Sequence, residues 1–217
     1  MLHALVFVNG EINDGEMVQR TFTTASNPLI VAVDGGVRVA KHFGLTIDVL
    51  VGDMDSVSEK DYQQIVISGA ELQNHPPEKD FTDLELALMM VAERGYDWIR
   101  VIGGVGGRLD QTIANIYLLA LPQLQKCDIR IVSNNQETYL LHAGNHEITG
   151  ESGDTLSLIP LGGAVHGVST ENLHYPLINE TLDFGPARGI SNVMTTKTAT
   201  IQIRQGKLLL IHTLGRA

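Results

Sequence analysis

Asp48-Val-Leu-Val-Gly-Asp-Met-Asp-Ser56 is the stretch on which the fold of the first half of this chain turns. A short apolar run ends abruptly in a glycine and two carboxylates, which reads as a buried strand stopping at a polar loop. Asp53 and Asp55 stand two residues apart, so in an extended or loop conformation both can face the same way. The same pattern recurs on either side. Residues 29–33 run into Asp34-Gly35-Gly36; 71–74 lead to His75-Pro-Pro-Glu-Lys-Asp80-Phe-Thr-Asp83; 98–102 run into Gly103-Gly-Val-Gly-Gly107 and Arg108. Residues 4–8 and 129–132 complete the set of predicted strands. Helical apolar spacing over 37–43, 58–68, 83–93 and 110–121 fills the gaps, with Thr82 and Glu85 forming a capping box and Gly95 a stop. Strand and helix in alternation predict an α/β region with a mainly parallel sheet.

After about residue 140 the pattern changes to short, often alternating apolar runs at 155–159, 164–168, 198–203 and 207–212, separated by Gly, Asn and Pro turns. This predicts an all-β, sandwich-like region without helices. The expected division is therefore 1–140, an α/β domain, and 141–217, a β domain.

Composition narrows the function. A formal net charge of −10 argues against nucleic acid as a partner, since that affinity comes from clustered Lys and Arg. No apolar run approaches the roughly 20 residues of a membrane span, and the N-terminal segment reads as a first strand rather than a signal peptide; a cytoplasmic protein is expected. The single cysteine, Cys127, excludes an internal disulfide and reads as a small core residue.

In parallel α/β sheets ligands collect at the carboxyl ends of the strands, where these loops fall. They deliver Asp34, Asp53, Asp55, Asp80, Asp83 and Asp110 to one rim. So many acids repel one another unless a cation compensates, and two or three carboxylates completed by water and phosphate are what Mg²⁺ prefers. The glycine-rich stretch, with Gly106 and Gly107 followed by Arg108 and a helix N-terminus, favours phosphate oxygens. Lys79 is a second candidate phosphate contact, and Ser56 reads as a turn or phosphate contact. His142 and His146 have metal-ligand spacing but lie in a non-helical stretch, which favours surface histidines.

These four motifs, in this order and spacing, closely resemble the thiamine pyrophosphokinase (thiamine diphosphokinase) family. The resemblance extends through Leu156-Ser-Leu-Ile-Pro-Leu161, Leu173-His-Tyr-Pro-Leu177 and Gly189-Ile-Ser-Asn192, covering nearly the whole chain. It implies transfer of a diphosphate group from ATP to the hydroxyl of thiamine, with Mg²⁺ as cofactor, in a homodimer whose thiamine site lies between the α/β domain of one copy and the β domain of the other. By resemblance Asp53, Asp55 and Asp83 are metal ligands, with Asp34 and the adjoining Gly35 and Gly36 close by. Lys79, Asp80, Arg108, Asp110 and Gln111 line the phosphates or the metal shell, and Ser191 and Asn192 meet thiamine. Gln111 and Val193 depart from the His and Glu that bacterial relatives often carry. Trp98, the sole tryptophan, lies in a predicted strand, so an aromatic partner for thiamine has to be another residue. The run 49–57 also looks like the signature of haloacid-dehalogenase phosphatases, in which Asp53 would be a nucleophile on phosphate; that reading leaves the glycine-rich loop and the β domain unexplained.

Overall fold

The computed structural model describes residues 1–76, 78 and 80–216. The chain divides into two compact units, Met1–Asn134 and Asn135–Ala217.

In the first unit, β1 (His3–Phe7), α1 (Glu16–Thr24), β2 (Leu29–Val33), α2 (Gly36–His42), β3 (Val49–Gly52), α3 (Glu59–Ile67), β4 (Glu71–Asn74), α4 (Asp83–Glu93), β5 (Trp98–Ile102), α5 (Leu109–Leu118) and β6 (Asp128–Ser133) alternate as expected. The six strands lie in the order β6, β5, β1, β2, β3, β4, every pair parallel. The apolar runs of β1, β2, β3 and β5 are buried almost throughout, because helices cover both faces of such a sheet. Strand order reverses at β1, whose neighbours are β2 on one side and β5 on the other. A crevice therefore opens at the carboxyl end of β1.

Local chemistry sets several boundaries where the sequence placed them. Thr82 Oγ1 accepts from the Glu85 N–H at 3.2 Å and caps α4, and Gly95 just beyond that helix has φ +83°. One helix escaped the reading of the sequence. Its sequence, Glu-Met-Val-Gln-Arg-Thr-Phe-Thr-Thr, is rich in β-branched residues, and Gly15 before it offers no capping side chain. α1 forms because packing buries Met17, Val18 and Thr21, with the Thr21 hydroxyl turned onto the Met17 carbonyl at 3.0 Å.

The second unit contains β7 (Gln136–Leu141), β8 (Gly144–Thr149), β9 (Thr155–Pro160), β10 (Val165–Glu171), β11 (Glu180–Leu182), β12 (Asn192–Val193), β13 (Thr198–Ile203) and β14 (Leu208–Thr213). Two antiparallel sheets, β12-β9-β14-β7 and β11-β10-β13-β8, enclose Leu156, Leu158, Val168, Met194, Ile201, Leu208 and their neighbours. This is the expected β-sandwich. His142 lies in the connection from β7 to β8, two strands of different sheets, and His146 on β8; the His146 ring meets the His142 carbonyl at 2.7 Å.

One polar group is built into this sandwich. His212, 2% exposed, approaches Asp154 at 2.8 Å through Nε2 and Glu137 at 3.6 Å through Nδ1. Burial alone would lower the imidazole pKa, but the two carboxylates outweigh it and raise it above its ordinary 6.5. Burial works the opposite way on Asp154, yet the Gly215 and Glu151 N–H groups and His212 hold it below its ordinary value. A raised pKa stabilises the fold fully below 6.5 and loses that contribution as pH rises through the native value. The melting temperature is therefore expected to decline as pH rises above 6.5 in the native chain and to lose that slope in His212→Gln. Identical pH profiles for the two would show that the imidazolium contributes nothing.

Candidate active site

A cleft of about 740 Å³ occupies the crevice at the carboxyl end of β1. Three loops line it: residues 8–11 after β1, residues 33–35 after β2, and residues 103–108 after β5. Ser56, Thr82, Asp83 and Leu84 close one side, and Gln111, Thr112 and Asn115 of α5 another.

The loops interlock through bare backbone. A Cβ on Gly10 would collide with the Gly103 carbonyl oxygen and lie 2.6 Å from that of Val105. The Glu11 N–H donates to the Val105 oxygen at 3.1 Å, and the Val8 N–H to that of Ile102 at 2.9 Å. From α2, Arg38 donates to Asn9 Oδ1 at 3.2 Å and to the Gly10 carbonyl at 2.7 Å, which fixes the β1 loop from outside.

The acidic turn is equally specific. Gly52 has φ +138°, and a Cβ there would overlap the Asp34 carboxylate, so Asp34 lies directly against the start of the turn. Asp34 itself has φ +45°, and Met54 has φ +67°. Left-handed non-glycine residues of this kind collect at functional sites. Asp53 Oδ1 accepts from the Asp55 N–H at 3.1 Å and Asp55 Oδ1 from the Ser56 hydroxyl at 2.8 Å, which makes the turn compact. Asp53 and Asp55 line a second cavity of about 350 Å³ with Met54, Tyr62, Asn74 and His75.

The structure thus brings Asp34, Gly35, Ser56, Asp83, Gly106, Gly107, Arg108 and Gln111 to one cleft. Asp53 and Asp55 precede Ser56 in the same turn but line the smaller cavity, and among the described residues no three acidic, His or Cys side chains converge as a finished metal cage. Asp80 and Asp110 are exposed and line neither cavity. Arg108 Nη2 pairs with Asp110 Oδ2 at 2.5 Å; that hydrogen bond holds the Asp110 carboxyl below its usual range and raises the guanidinium. Gly36 opens α2 against the Phe7 carbonyl, a packing role. Lys79 lies outside the described residues. In the second unit Ser191 is exposed with φ +56° and donates its N–H to Ser157 Oγ at 3.0 Å. Asn192 is buried, and both ends of its amide bond Tyr175: Oδ1 accepts from the Tyr175 N–H at 3.0 Å and Nδ2 donates to the Tyr175 carbonyl at 2.7 Å. Residues the sequence reading passed over are Asn9, Gly10, Glu11, Thr112 and Asn115. An Asn-Gly pair directly after a strand was the available signal for the first two.

Comparison with known proteins bears on this site directly. The family model "Thiamin pyrophosphokinase, catalytic domain" matches residues 22–132, more than half of the chain, and "Thiamin pyrophosphokinase, vitamin B1 binding domain" matches 145–208. The chain belongs to the thiamin pyrophosphokinase family. A curated relative, thiamine pyrophosphokinase of Bacillus subtilis (strain 168), is 29% identical over 190 residues, 87% of this chain and 89% of the relative. The crystal structure of thiamine pyrophosphokinase from Bacillus subtilis superposes with TM-score 0.86 at 26% identity, covering 99% of both chains. A thiamin pyrophosphokinase family protein from Enterococcus faecalis, at 24% identity and TM-score 0.85 over 97% of this chain and 98% of its own, shows the same fold. Members of the thiamin pyrophosphokinase family are enzymes of the kinase type in thiamine diphosphate biosynthesis. The catalytic-domain match runs through the acidic turn and the glycine loop alike, and it displaces the haloacid-dehalogenase reading, which accounted only for the turn. Among the described residues no helix is long and apolar enough to cross a membrane.

Proposed function

We propose that this chain transfers the terminal diphosphate of ATP to the hydroxyl of thiamine, giving thiamine diphosphate and AMP, as a cytoplasmic homodimer. The observation that carries this reading is the cleft at the β1 switch point, where a glycine loop, Arg108 and the N-terminus of α5 face three carboxylates. Loop amides, a guanidinium and a helix N-terminus together suit phosphate oxygens. Glu11, Asp34 and Asp83 would repel the same phosphates, so the nucleotide has to arrive with added positive charge. Hard carboxylate oxygens fit Mg²⁺, which takes one or two carboxylates and completes its shell with water and substrate phosphate rather than demanding an all-protein cage. Asp53, Asp55 and Asp83 are the candidates for those ligands, with Asp34 alongside; Asp53 and Asp55 share one cavity and Asp83 lines the other, so water and phosphate would complete the shell of an ion held by one or two of them. When bound, the ion would neutralise phosphate charge.

The chain's own groups do the remaining work by position, as diphosphoryl transfer demands little covalent chemistry of the protein. The glycine loop, Ser56 and Gln111 orient the triphosphate, and Arg108 exchanges part of its hold on Asp110 for a phosphate oxygen. Lys79 is assigned a phosphate contact from sequence alone. Asp80 and Asp110 are the carboxylates available to accept the hydroxyl proton, and the Arg108 hydrogen bond holds the Asp110 carboxyl below its usual range, which makes it a poor base.

On the second unit, Ser191 and Asn192 mark the thiamine face. Asn192 spends its amide on the main chain of Tyr175, which sets a 66% exposed phenol ring beside that face, with the His174 ring edge-on at 4.6 Å. Trp98 is buried in the first unit between His3 and Arg100, so Tyr175 is the aromatic platform we assign to the cationic thiazolium or the pyrimidine ring. Tyr175→Ala is expected to raise the thiamine KM roughly tenfold and leave the ATP KM unchanged, the worth of one aromatic contact; unaltered thiamine KM would remove Tyr175 from the site. The whole reading is tested by incubating the protein with ATP, Mg²⁺ and thiamine: AMP should appear only when thiamine is present. Sedimentation at working concentration tests the dimer.

A further inference from the structure

The glycine loop does not hold its shape unaided. Asn115 is 8% exposed on the inner face of α5, and its Nδ2 donates to the Gly104 carbonyl at 2.8 Å. One turn earlier, Thr112 Oγ1 accepts from the Gly106 N–H at 3.3 Å. The peptide between Val105 and Gly106 is thereby held at both ends, its oxygen by the Glu11 N–H and its N–H by Thr112. The preceding peptide, between Gly104 and Val105, is held at one end only. A trans peptide is planar, with its C=O and N–H pointing in opposite directions. Asn115 draws the Gly104 oxygen toward α5, so the Val105 N–H is turned away from it, and that N–H has no partner among the described residues. Val105, Gly104, Thr112 and Asn115 all line the cleft.

We propose that Asn115 is a positioning residue for the nucleotide: by anchoring the Gly104 carbonyl it presents the Val105 amide as a donor to a phosphate oxygen. Val105 lines the cleft, where its N–H is open to an incoming acceptor, and a phosphate oxygen is the acceptor the neighbouring Arg108 favours. This rests on the nucleotide reading of the cleft, and Asn115 itself touches no reacting atom. Asn115→Asp keeps the shape but replaces the donor with an acceptor, which repels the Gly104 carbonyl and lets the peptide turn over.

The test is ATP binding by calorimetry in the presence of Mg²⁺, together with steady-state kinetics, on the native chain, Asn115→Asp and Thr112→Val. Asn115→Asp should weaken ATP binding roughly ten- to hundredfold, the loss of one hydrogen bond to a charged group, and raise the ATP KM in parallel with the thiamine KM unchanged. Thr112→Val, which loosens the adjoining peptide, should move the same two quantities by a smaller factor. A fall in the active fraction or melting temperature with ATP affinity and both KM values intact would assign Asn115 a structural role and overturn the proposal. Native protein that binds ATP but releases no AMP with thiamine would sink the proposed function while leaving the Asn115 comparison readable through binding.

Discussion

Asp55→Asn is expected to reduce thiamine-dependent AMP formation by on the order of a thousandfold while leaving the fold intact, the scale seen when a group that stabilises transition-state charge is removed. The fold survives because the turn does not need this carboxylate's charge. The Asp55 N–H still donates to Asp53, and the amide oxygen of Asn can still accept from Ser56. What is lost is one negative oxygen donor to a divalent cation, and a neutral amide is a poor substitute for it. The reading of the two carboxylates as a shared cation site predicts that ATP binding measured without divalent ion is unchanged or improved in Asp55→Asn, since a repulsive charge has gone. A variant with near-native turnover at low Mg²⁺ would remove Asp55 from the metal shell.

Gly10→Ala is the second large effect, and it acts through shape. The new methyl group would fall on the Gly103 carbonyl and within 2.6 Å of the Val105 oxygen, both main-chain atoms of the loop after β5. Neither can swing aside as a side chain could, so the two loops must separate. The hydrogen bond from Glu11 to Val105 is then broken. Overpacking of this kind costs about 1–3 kcal/mol, and the lost hydrogen bond adds about 1 kcal/mol. Denaturant unfolding should read both, and ATP affinity should drop with them. Gly107→Ala is the matched control, because a Cβ there meets nothing within 4 Å; its stability should stay within about 0.5 kcal/mol of the native chain. Equal effects at the two glycines would show that the interlock is unimportant.

The parallel sheet was legible because β2, β3 and β5 are buried on both faces and so carry short, unbroken apolar runs ending at Gly or Asp. β4 carries the weakest signal, because Glu-Leu-Gln-Asn is only half-buried at the sheet edge; the polar loop after it was the mark it shared with its neighbours. α1 was illegible since tertiary burial of three residues, not propensity or capping, makes it a helix.

At the site, charged residues announced themselves and the groups that shape the backbone did not. Asp34, Asp83 and Arg108 reach the cleft where the strand ends implied. Asn9 accepts from the Arg38 guanidinium, and Thr112 and Asn115 bond peptide groups of the loop before α5; an amide or hydroxyl on a helix carries no mark of whether it faces solvent or a loop. Asn192 shows the same limit. Its resemblance to a substrate contact is plain in the sequence, while its hold on Tyr175 depends on a turn of the β-sandwich.

The most direct measurement of the central claim follows the phosphorus itself. With protein in excess over ATP labelled at the β-phosphate, and with Mg²⁺ and thiamine present, all label lost from ATP should appear in thiamine diphosphate, matched one for one by AMP. Label recovered in ADP, or as phosphate released whether or not thiamine is added, would contradict it.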